Sequence, residues 1–170
     1  MDVVMPPIGV MIEVPGAVFQ VREMAERVDF LSVGSNDLTQ YMLAVDRNNP
    51  RVASLYQPYH PAVLQVIYKI CVDARAAGKP VSICGELAGD PAGAIILVAM
   101  GYRILSMNAV NLPRVKSVLR AVSLDWAEDL LRRLLALDTP QLVRSTLEMA
   151  LREAGIEFFT RPSAKSVALD

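Results

Sequence analysis

The feature that most constrains the fold of this chain is a fourfold alternation of short apolar segments with longer amphipathic segments. The apolar segments are predicted as strands, at Ile8 to Val14, Phe30 to Val33, Val81 to Cys84 and Ile104 to Met107. Parallel neighbours in a sheet require a crossover connection, which is usually a helix. The alternation therefore predicts an α/β fold built on a parallel sheet.

Helical periodicity predicts the segments that follow the strands. Pro15 to Val28 and Pro61 to Ala77 carry apolar residues three or four positions apart, with charged residues between them. Ser35 or Asn36 is expected to cap a helix over Leu38 to Ala44. The remaining predicted helices are Pro91 to Met100, Leu112 to Ala121, Leu124 to Leu137 and Pro140 to Ala154, the last capped by Thr139.

The number of strand and helix units limits which α/β fold is possible. A complete (β/α)8 barrel takes about 250 residues, whereas this chain has 170 residues and four predicted units. We therefore predict half of a TIM-type barrel followed by terminal helices. The first strand begins almost at the start of the sequence, with no element ahead to cover it, so we expect the chain to be part of a longer protein.

Composition excludes several classes of function. With 53% hydrophobic and 21% charged residues the chain is too apolar to be disordered. Its 17 basic and 18 acidic residues form no basic stripe, which argues against nucleic-acid binding. The longest apolar stretch, Ala94 to Met100, is too short to cross a bilayer, and the first residues of the sequence lack the basic-then-apolar order of a signal peptide. We expect a cytoplasmic protein whose Cys71 and Cys84 are thiols.

Polar residues follow three of the predicted strands. Glu13 closes the first strand, Asn36 and Asp37 follow the second, and Cys84 closes the third. In parallel α/β folds, functional groups gather at the C-terminal ends of the strands. The pattern predicts a functional site at that end of the sheet.

The two carboxylates and the glycine between them allow two interpretations each. Glu13 and Asp37 could together hold one Mg2+, whose other ligands would be water and a phosphorylated compound. Alternatively, Asp37 stabilises a helix N-terminus and Glu13 is an ordinary loop charge. Gly34 either lets the backbone approach an anion or simply forms a turn.

Other reactive residues are also open to two readings. Cys84 is either a proton donor and acceptor at a carbon centre or a small buried hydrophobe. His60, the single histidine, is expected to be a cap or loop contact more readily than a catalytic group. Arg47, in the predicted loop Asp46 to Tyr59, binds either phosphate or a nearby acid. Cys71 lies on the apolar face of its helix and is expected in the core.

Three motifs occur in a fixed order: GVMIEVP at residues 9–15, DFLSVGSNDLTQY at 29–41 and CGE at 84–86. Together they resemble the family of PEP-utilising enzymes. AVDRNN at 44–49 and HPAVL at 60–64 are more similar to Enzyme I, the phosphoenolpyruvate-protein phosphotransferases, than to pyruvate phosphate dikinase. RNN at 47–49 and LSMN at 105–108 are more similar to the nitrogen-related form. The resemblance covers about residues 8–120.

The resemblance implies an architecture. The family's PEP-binding domain is a dimerising (β/α)8 barrel, and residues 1–122 would be its C-terminal half. Residues 123–155 would be helices packed on the barrel, and residues 156–170 a loosely ordered tail. The implied activity is transfer of the phosphoryl group of PEP to an enzyme histidine and on to an HPr-like phosphocarrier, with release of pyruvate. The alternatives are a dikinase or a non-catalytic, dimerising PEP-sensing module.

The resemblance also implies roles for individual residues. Glu13 and Asp37 would bind Mg2+, while Asn36 and Arg47 would bind the phosphoryl group. Cys84 would protonate the enolate carbon as pyruvate forms. The family's arginines from earlier barrel strands and its phosphoacceptor histidine have no counterpart in this sequence, since its only histidine lies in an unrelated motif. We therefore expect no turnover by this chain alone.

Overall fold

A parallel sheet organises the fold. The computed structural model describes residues 4–156, which contain strands β1 (Gly9–Ile12), β2 (Phe30–Gly34), β3 (Val81–Cys84) and β4 (Ile104–Ser106). The strands lie in the order β1-β2-β3-β4, and each neighbouring pair is parallel. A doubly wound sheet reverses its strand order, whereas a barrel keeps it sequential. The α/β prediction is confirmed, and the order fits part of a (β/α)8 barrel.

Helices connect the strands and follow the last of them. The α-helices of the described residues are α1 (Pro15–Val18), α2 (Val21–Ala25), α3 (Ser35–Leu43), α4 (Pro61–Ala76), α5 (Glu86–Gly89), α6 (Pro91–Met100), α7 (Leu112–Ala121), α8 (Leu124–Leu135) and α9 (Pro140–Glu153). Short 3-10 turns occur at Ala53–Leu55 and Ala109–Asn111. No helix in residues 4–156 is long and apolar enough to span a membrane.

The two faces of the sheet differ sharply, because successive residues of a strand point to opposite sides. One face packs against the helices, and its central side chains are fully buried: Ile12, Leu31, Val33 and Ile83. The register places alternate residues on the opposite face. There Met11 is 47% exposed, Phe30 40% and Ile104 53%. Within residues 4–156, helices thus cover the sheet on one side only, as in half of a barrel.

The helical layer supplies most of the core. The inner side of α4 is completely buried at Ile67, Ile70 and Cys71, so the expectation that Cys71 is a core residue is confirmed. Helix α6 is buried along almost its whole length and packs between α7 and α8. The buried hydroxyl of Tyr102 donates to the carbonyl of Ile67 at 2.8 Å, which satisfies its hydrogen-bonding need inside the core.

One buried carboxylate ties α2 to α4. Asp73 is 5% exposed and accepts a hydrogen bond from Arg22 Nε at 2.7 Å, while Lys69 one turn earlier contacts its other oxygen. Burial by itself would raise the pKa of Asp73. The hydrogen bonds from Lys69 and Arg22 outweigh burial and lower the pKa below its usual range.

Several helix boundaries differ from the sequence predictions. The helix predicted over Pro15 to Val28 is divided into α1 and α2 at Phe19 and Gln20. Helix α3 begins at Ser35 with Gly34 as its N-cap, so neither Ser35 nor Asn36 caps it. Helix α5 was not predicted at all. These deviations all lie near the C-terminal ends of β1, β2 and β3.

The C-terminal helices follow the sequence prediction closely. Ser123 caps α8, and the Thr139 hydroxyl accepts from the backbone of Leu142 at 3.3 Å, which confirms the predicted cap of α9. Ile156 is buried, and its N–H bonds to the carbonyl of Leu151. From residue 157 onward, the predicted loose tail lies outside the described residues.

Candidate functional site

The C-terminal ends of the strands bring predicted site residues into one row. Ile12 pairs with Val33, and Gly34 pairs with Cys84. Continuing this register places Glu13 beside Gly34, and Glu13, Gly34 and Cys84 then share the uncovered face of the sheet. We call these three residues the strand-end row. With strands about 4.8 Å apart, the backbones of Glu13 and Cys84 are roughly 10 Å apart.

Gly34 leaves free the space that the Glu13 side chain occupies. A Cβ atom at position 34 would lie 2.8 Å from Glu13 Oε2 and 3.0 Å from its Cβ. The backbone of Gly34 has an ordinary negative φ, so its conformation alone would admit other residues. The missing side chain therefore makes a cradle for a carboxylate, and a carboxylate oxygen is a ligand that suits Mg2+.

Cys84 ends β3 in a partly buried position. Its Sγ donates to the carbonyl of Val33 at 3.5 Å. The following Gly85 has φ +109, and a Cβ there would lie 2.8 Å from Asn36 Oδ1. Glycine at position 85 thus allows the turn after β3 to approach the start of α3.

Two hydrogen bonds fasten this turn to α3. The Ser35 hydroxyl donates to the carbonyl of Cys84 at 2.6 Å, and Asn36 Oδ1 accepts from the backbone N–H of Glu86 at 3.0 Å. These contacts explain why Ser35 and Asn36 do not cap their own helix. Because the oxygen of the Asn36 amide is engaged, its Nδ2 group is the end that a ligand can use as a donor.

Arg47 forms an ion pair with Asp37. Its Nη2 lies 3.6 Å from Asp37 Oδ1, and its backbone N–H donates to Gln40 Oε1 at 3.2 Å. Arg47 therefore pairs with an acid other than the adjacent Asp46. Both side chains are partly exposed, at 31% and 43%, and such pairs contribute little stability. A phosphate could accordingly replace Asp37 as the partner of Arg47.

A polar cleft of about 400 Å3 opens beside the strand-end row. We call it the Asn36 cleft; its lining residues are Asn36, Arg47, Asn48, Ala53, Tyr56 and Glu86. The volume falls in the range of small-molecule sites. The Tyr56 hydroxyl lies 3.4 Å from the carbonyl oxygen of Asn36. Burial raises the pKa of Tyr56, and the carboxylate of Glu86 raises it further, so this hydroxyl is a donor at neutral pH.

The structure brings Asn36 and Arg47 into one cleft and sets Glu13 and Cys84 in the adjoining row. Within residues 4–156, no three His, Cys, Asp or Glu side chains form a group that could hold a metal. A cation held by Glu13 and Asp37 would therefore need water and substrate oxygens as its other ligands, which is typical of Mg2+.

His60 does not take part in this site. Its Nδ1 accepts from the backbone N–H of Ala62 at 3.1 Å and so caps α4. The sequence interpretation missed Tyr56 and Glu86 as lining residues. The one available signal for Tyr56 was an aromatic hydroxyl in the predicted loop Asp46 to Tyr59, a signal that Tyr59 shares. Glu86 is brought into the cleft by α5, which was not predicted.

Comparison with known proteins adds an independent line of evidence. The family described as "PEP-utilising enzyme, PEP-binding domain" matches residues 3–124. The "Phosphoenolpyruvate-dependent phosphotransferase system" protein of Salmonella typhimurium is 46% identical over 151 residues, which are 89% of this chain and 20% of the relative.

Two further relatives carry related names. The "Phosphoenolpyruvate-protein phosphotransferase" of Borreliella burgdorferi is 45% identical over 79% of this chain and 23% of the relative. The "Multiphosphoryl transfer protein" of Xanthomonas campestris is 45% identical over 82% of this chain and 17% of the relative. The chain thus spans about a fifth of the length of the curated relatives it matches.

Proposed function

This chain belongs to the family of PEP-utilising enzymes, as their PEP-binding domain, and we propose that it serves this role in a phosphoenolpyruvate-protein phosphotransferase. We call the longer protein that contains it the parent protein. The parent protein transfers the phosphoryl group of PEP to one of its histidines and then to an HPr-like phosphocarrier, and it releases pyruvate. The observation that carries the proposal is the strand-end row beside the polar Asn36 cleft.

Glu13 and Asp37 are the residues that would hold Mg2+. The cradle over Gly34 supports this assignment, because it leaves room at the strand end for the Glu13 carboxylate, which a side chain at position 34 would crowd. When bound, the cation neutralises negative charge on the phosphoryl group. Phosphoryl transfer depends chiefly on such positioning and charge neutralisation.

Asn36 and Arg47 bind the phosphoryl group in this proposal. The Nδ2 group of Asn36 supplies a donor, because Glu86 already holds the oxygen of the same amide. Arg47 exchanges its weak pair with Asp37, at 3.6 Å, for phosphoryl oxygens. An arginine suits this task because its planar guanidinium can donate two parallel hydrogen bonds.

Cys84 supplies the proton that completes pyruvate. Loss of the phosphoryl group leaves the enolate of pyruvate, whose methylene carbon takes the proton from Sγ–H and leaves a thiolate. In the reverse direction, the thiolate removes a proton from the methyl group of pyruvate. The position of Cys84 in the strand-end row, two strands from Glu13, supports this role.

We also propose finer features of the parent protein. It is the nitrogen-related form, it dimerises through this domain, and it works in the cytoplasm, where the free thiols of Cys71 and Cys84 stay reduced. Residues 1–122 form the C-terminal part of the barrel and residues 123–155 pack on it. The match of the family to residues 3–124 and the packing of α8 on α6 support this division.

The test compares the two cysteines in the parent protein. We expect Cys84→Ala to abolish formation of pyruvate from PEP while binding of PEP persists. Cys71→Ala is the matched control, because this thiol lies in the core and away from the cleft. Pyruvate formation at the wild-type rate by the Cys84 variant would refute the catalytic role, and unchanged signalling without pyruvate formation would favour the PEP-sensing module.

A further inference from the structure

The segment between α3 and α4, residues 44–60, carries four of the six residues that line the Asn36 cleft. We call it the 44–60 loop. Its start is fixed to α3, because Val45 N–H donates to the carbonyl of Gln40 at 2.9 Å. The two lining residues Arg47 and Tyr56 contact α3 over longer distances: Arg47 N–H donates to Gln40 Oε1 at 3.2 Å, Arg47 Nη2 lies 3.6 Å from Asp37 Oδ1, and the Tyr56 hydroxyl lies 3.4 Å from the carbonyl oxygen of Asn36. These longer contacts hold the lining part of the loop only weakly to α3.

A further contact holds the loop from the side opposite to α3. The Tyr59 hydroxyl donates to Asp90 Oδ2 in a partly buried position, and the Tyr59 ring packs against the core. Burial raises the pKa of Tyr59 well above its usual value, and the negative charge of Asp90 acts in the same direction. The hydroxyl therefore keeps its proton and acts as a donor to a charged acceptor, which is a strong type of hydrogen bond.

Asp90 joins this contact to the rest of the site. The same Oδ2 atom accepts from the N–H of Gly93 at 3.0 Å and caps α6. Its own backbone N–H donates to the carbonyl of Glu86 at 2.9 Å, and Glu86 N–H in turn holds Asn36 Oδ1. Asp90 thus connects the 44–60 loop with the short helix α5, whose first residue orients the Asn36 amide.

We propose that Tyr59 and Asp90 are positioning residues for the phosphate-binding side of the cleft. Their hydrogen bond fixes the 44–60 loop on the junction of α5 and α6. It thereby helps to keep the lining residues of the loop, Arg47 among them, on the side of the cleft that faces Asn36. Neither residue touches the ligand. The identity of the ligand rests on the proposed function, whereas the fixing of the loop does not.

Two variants change the hydrogen bond between Tyr59 and Asp90 and leave the cap of α6 in place. Tyr59→Phe removes the hydroxyl alone and leaves Asp90 on Gly93. Asp90→Asn keeps an oxygen that can both cap α6 and accept from Tyr59, since asparagine is a good N-cap. Tyr68→Phe is the matched control, because Tyr68 lies on α4, 37% exposed and outside the cleft lining.

Limited trypsin digestion reports on the loop itself, because Arg47 and Arg51 both lie in it. We expect Tyr59→Phe to speed cleavage after these two arginines about fivefold, as loss of one closing hydrogen bond predicts. Asp90→Asn, which keeps a neutral acceptor, should speed cleavage less than Tyr59→Phe does, and Tyr68→Phe should not differ from wild type. Equal cleavage rates for Tyr59→Phe and wild type would overturn the proposal.

Steady-state kinetics of the parent protein test whether Tyr59 and Asp90 position the phosphate-binding side of the cleft. We expect Tyr59→Phe to raise KM for PEP about fivefold with kcat changed by less than about twofold, since the ligand contacts survive but are less often in place. Asp90→Asn, as a single substitution, should retain most of the affinity for PEP. A loop that opens without any change in KM would overturn the positioning role. Failure of the wild-type protein to bind PEP would instead refute the proposed function, and digestion alone would then decide whether the loop is fixed.

Discussion

At the scale of single residues, the site depends on the space that two glycines leave free for neighbouring side chains. Gly34 and Gly85 each stand where a Cβ atom would meet a side chain of the site, Glu13 in one case and Asn36 in the other. The proposed metal ligand and the proposed phosphate ligand are thus placed by the absence of side chains at neighbouring positions. This is a steric requirement at Gly34, whereas Gly85 also needs its positive φ.

Gly34→Ala tests this steric requirement. The new methyl group would displace the Glu13 carboxylate, so we expect Mg2+-dependent binding of PEP by the parent protein to weaken by about tenfold or more, at a stability cost of about 1–3 kcal/mol. Calorimetric titration measures the affinity. Gly16→Ala is the control, because nothing lies within 4 Å of a Cβ at that position. Unchanged Mg2+-dependent affinity in the Gly34 variant would show that the cradle is not needed.

Sequence reasoning identified some residues of the candidate site and missed others for a physical reason. Glu13, Asn36, Asp37 and Cys84 were predicted because the ends of parallel strands converge whatever the loops do. Tyr56 reaches the cleft only through the path of the 44–60 loop. That path depends on contacts with residues far away in the sequence, such as Asp90, which periodicity does not reveal.

At the scale of elements, the helices obey local signals except where the site intervenes. The starts of α4, α6 and α9 each have a polar capping residue followed by proline, and the sequence predicted each start correctly. The start of α3 was predicted wrongly, because Ser35 and Asn36 use their side chains to hold the turn after β3. At the start of α3, hydrogen bonds to the turn after β3 therefore replace local capping.

Asp73 is the carboxylate on which the packing of α2 against α4 depends. We expect Asp73→Asn to lower the free energy of unfolding by about 1–3 kcal/mol, because charge-assisted hydrogen bonds from Arg22 and Lys69 are weakened. Asp129→Asn, in an exposed pair with Arg132, should cost less than about 0.5 kcal/mol. Urea denaturation measures both. Equal effects of the two variants would contradict this account of Asp73.

The lowered pKa of Asp73 predicts that its contribution to the free energy of unfolding depends on pH. Because the folded-state pKa of Asp73 is lowered, its contribution is fully present above the unfolded pKa and is lost as pH falls through the folded value. The stability difference between wild type and Asp73→Asn should therefore be constant from about pH 7 to 5 and shrink below about pH 4. Denaturation midpoints measured across this range check it. A difference that persists unchanged at about pH 2 would contradict the lowered pKa.

At the scale of the whole molecule, the sheet has one bare face and two strands with a single neighbour each among the described residues, β1 and β4. The apolar residues of that face and the strand-end row lie on the same side of the sheet. The alternation of strands and helices predicted the parallel sheet from the sequence, and the number of units predicted half of a barrel. It did not reveal how the 44–60 loop closes the cleft, because loop paths have no comparable periodic signal.

The bare face predicts self-association of the 170-residue chain. We expect sedimentation velocity to detect reversible association at micromolar concentration, since exposed apolar patches and open strand edges favour it. The double variant Met11→Ser with Ile104→Ser should weaken the association. Met149→Ser, on α9 and 55% exposed, should leave it unchanged. Association that persists in the double variant would assign it to another surface.

The most direct test of the central claim is calorimetric titration of the parent protein with PEP, and with oxalate as a planar mimic of the enolate, in the presence and absence of Mg2+. The proposed site predicts that binding heat requires both Mg2+ and Asp37, so that omission of Mg2+ or the substitution Asp37→Ala abolishes it. Asp129→Ala should bind like wild type. Binding of either ligand with undiminished affinity without Mg2+, or by the Asp37 variant, would contradict the assignment of this site.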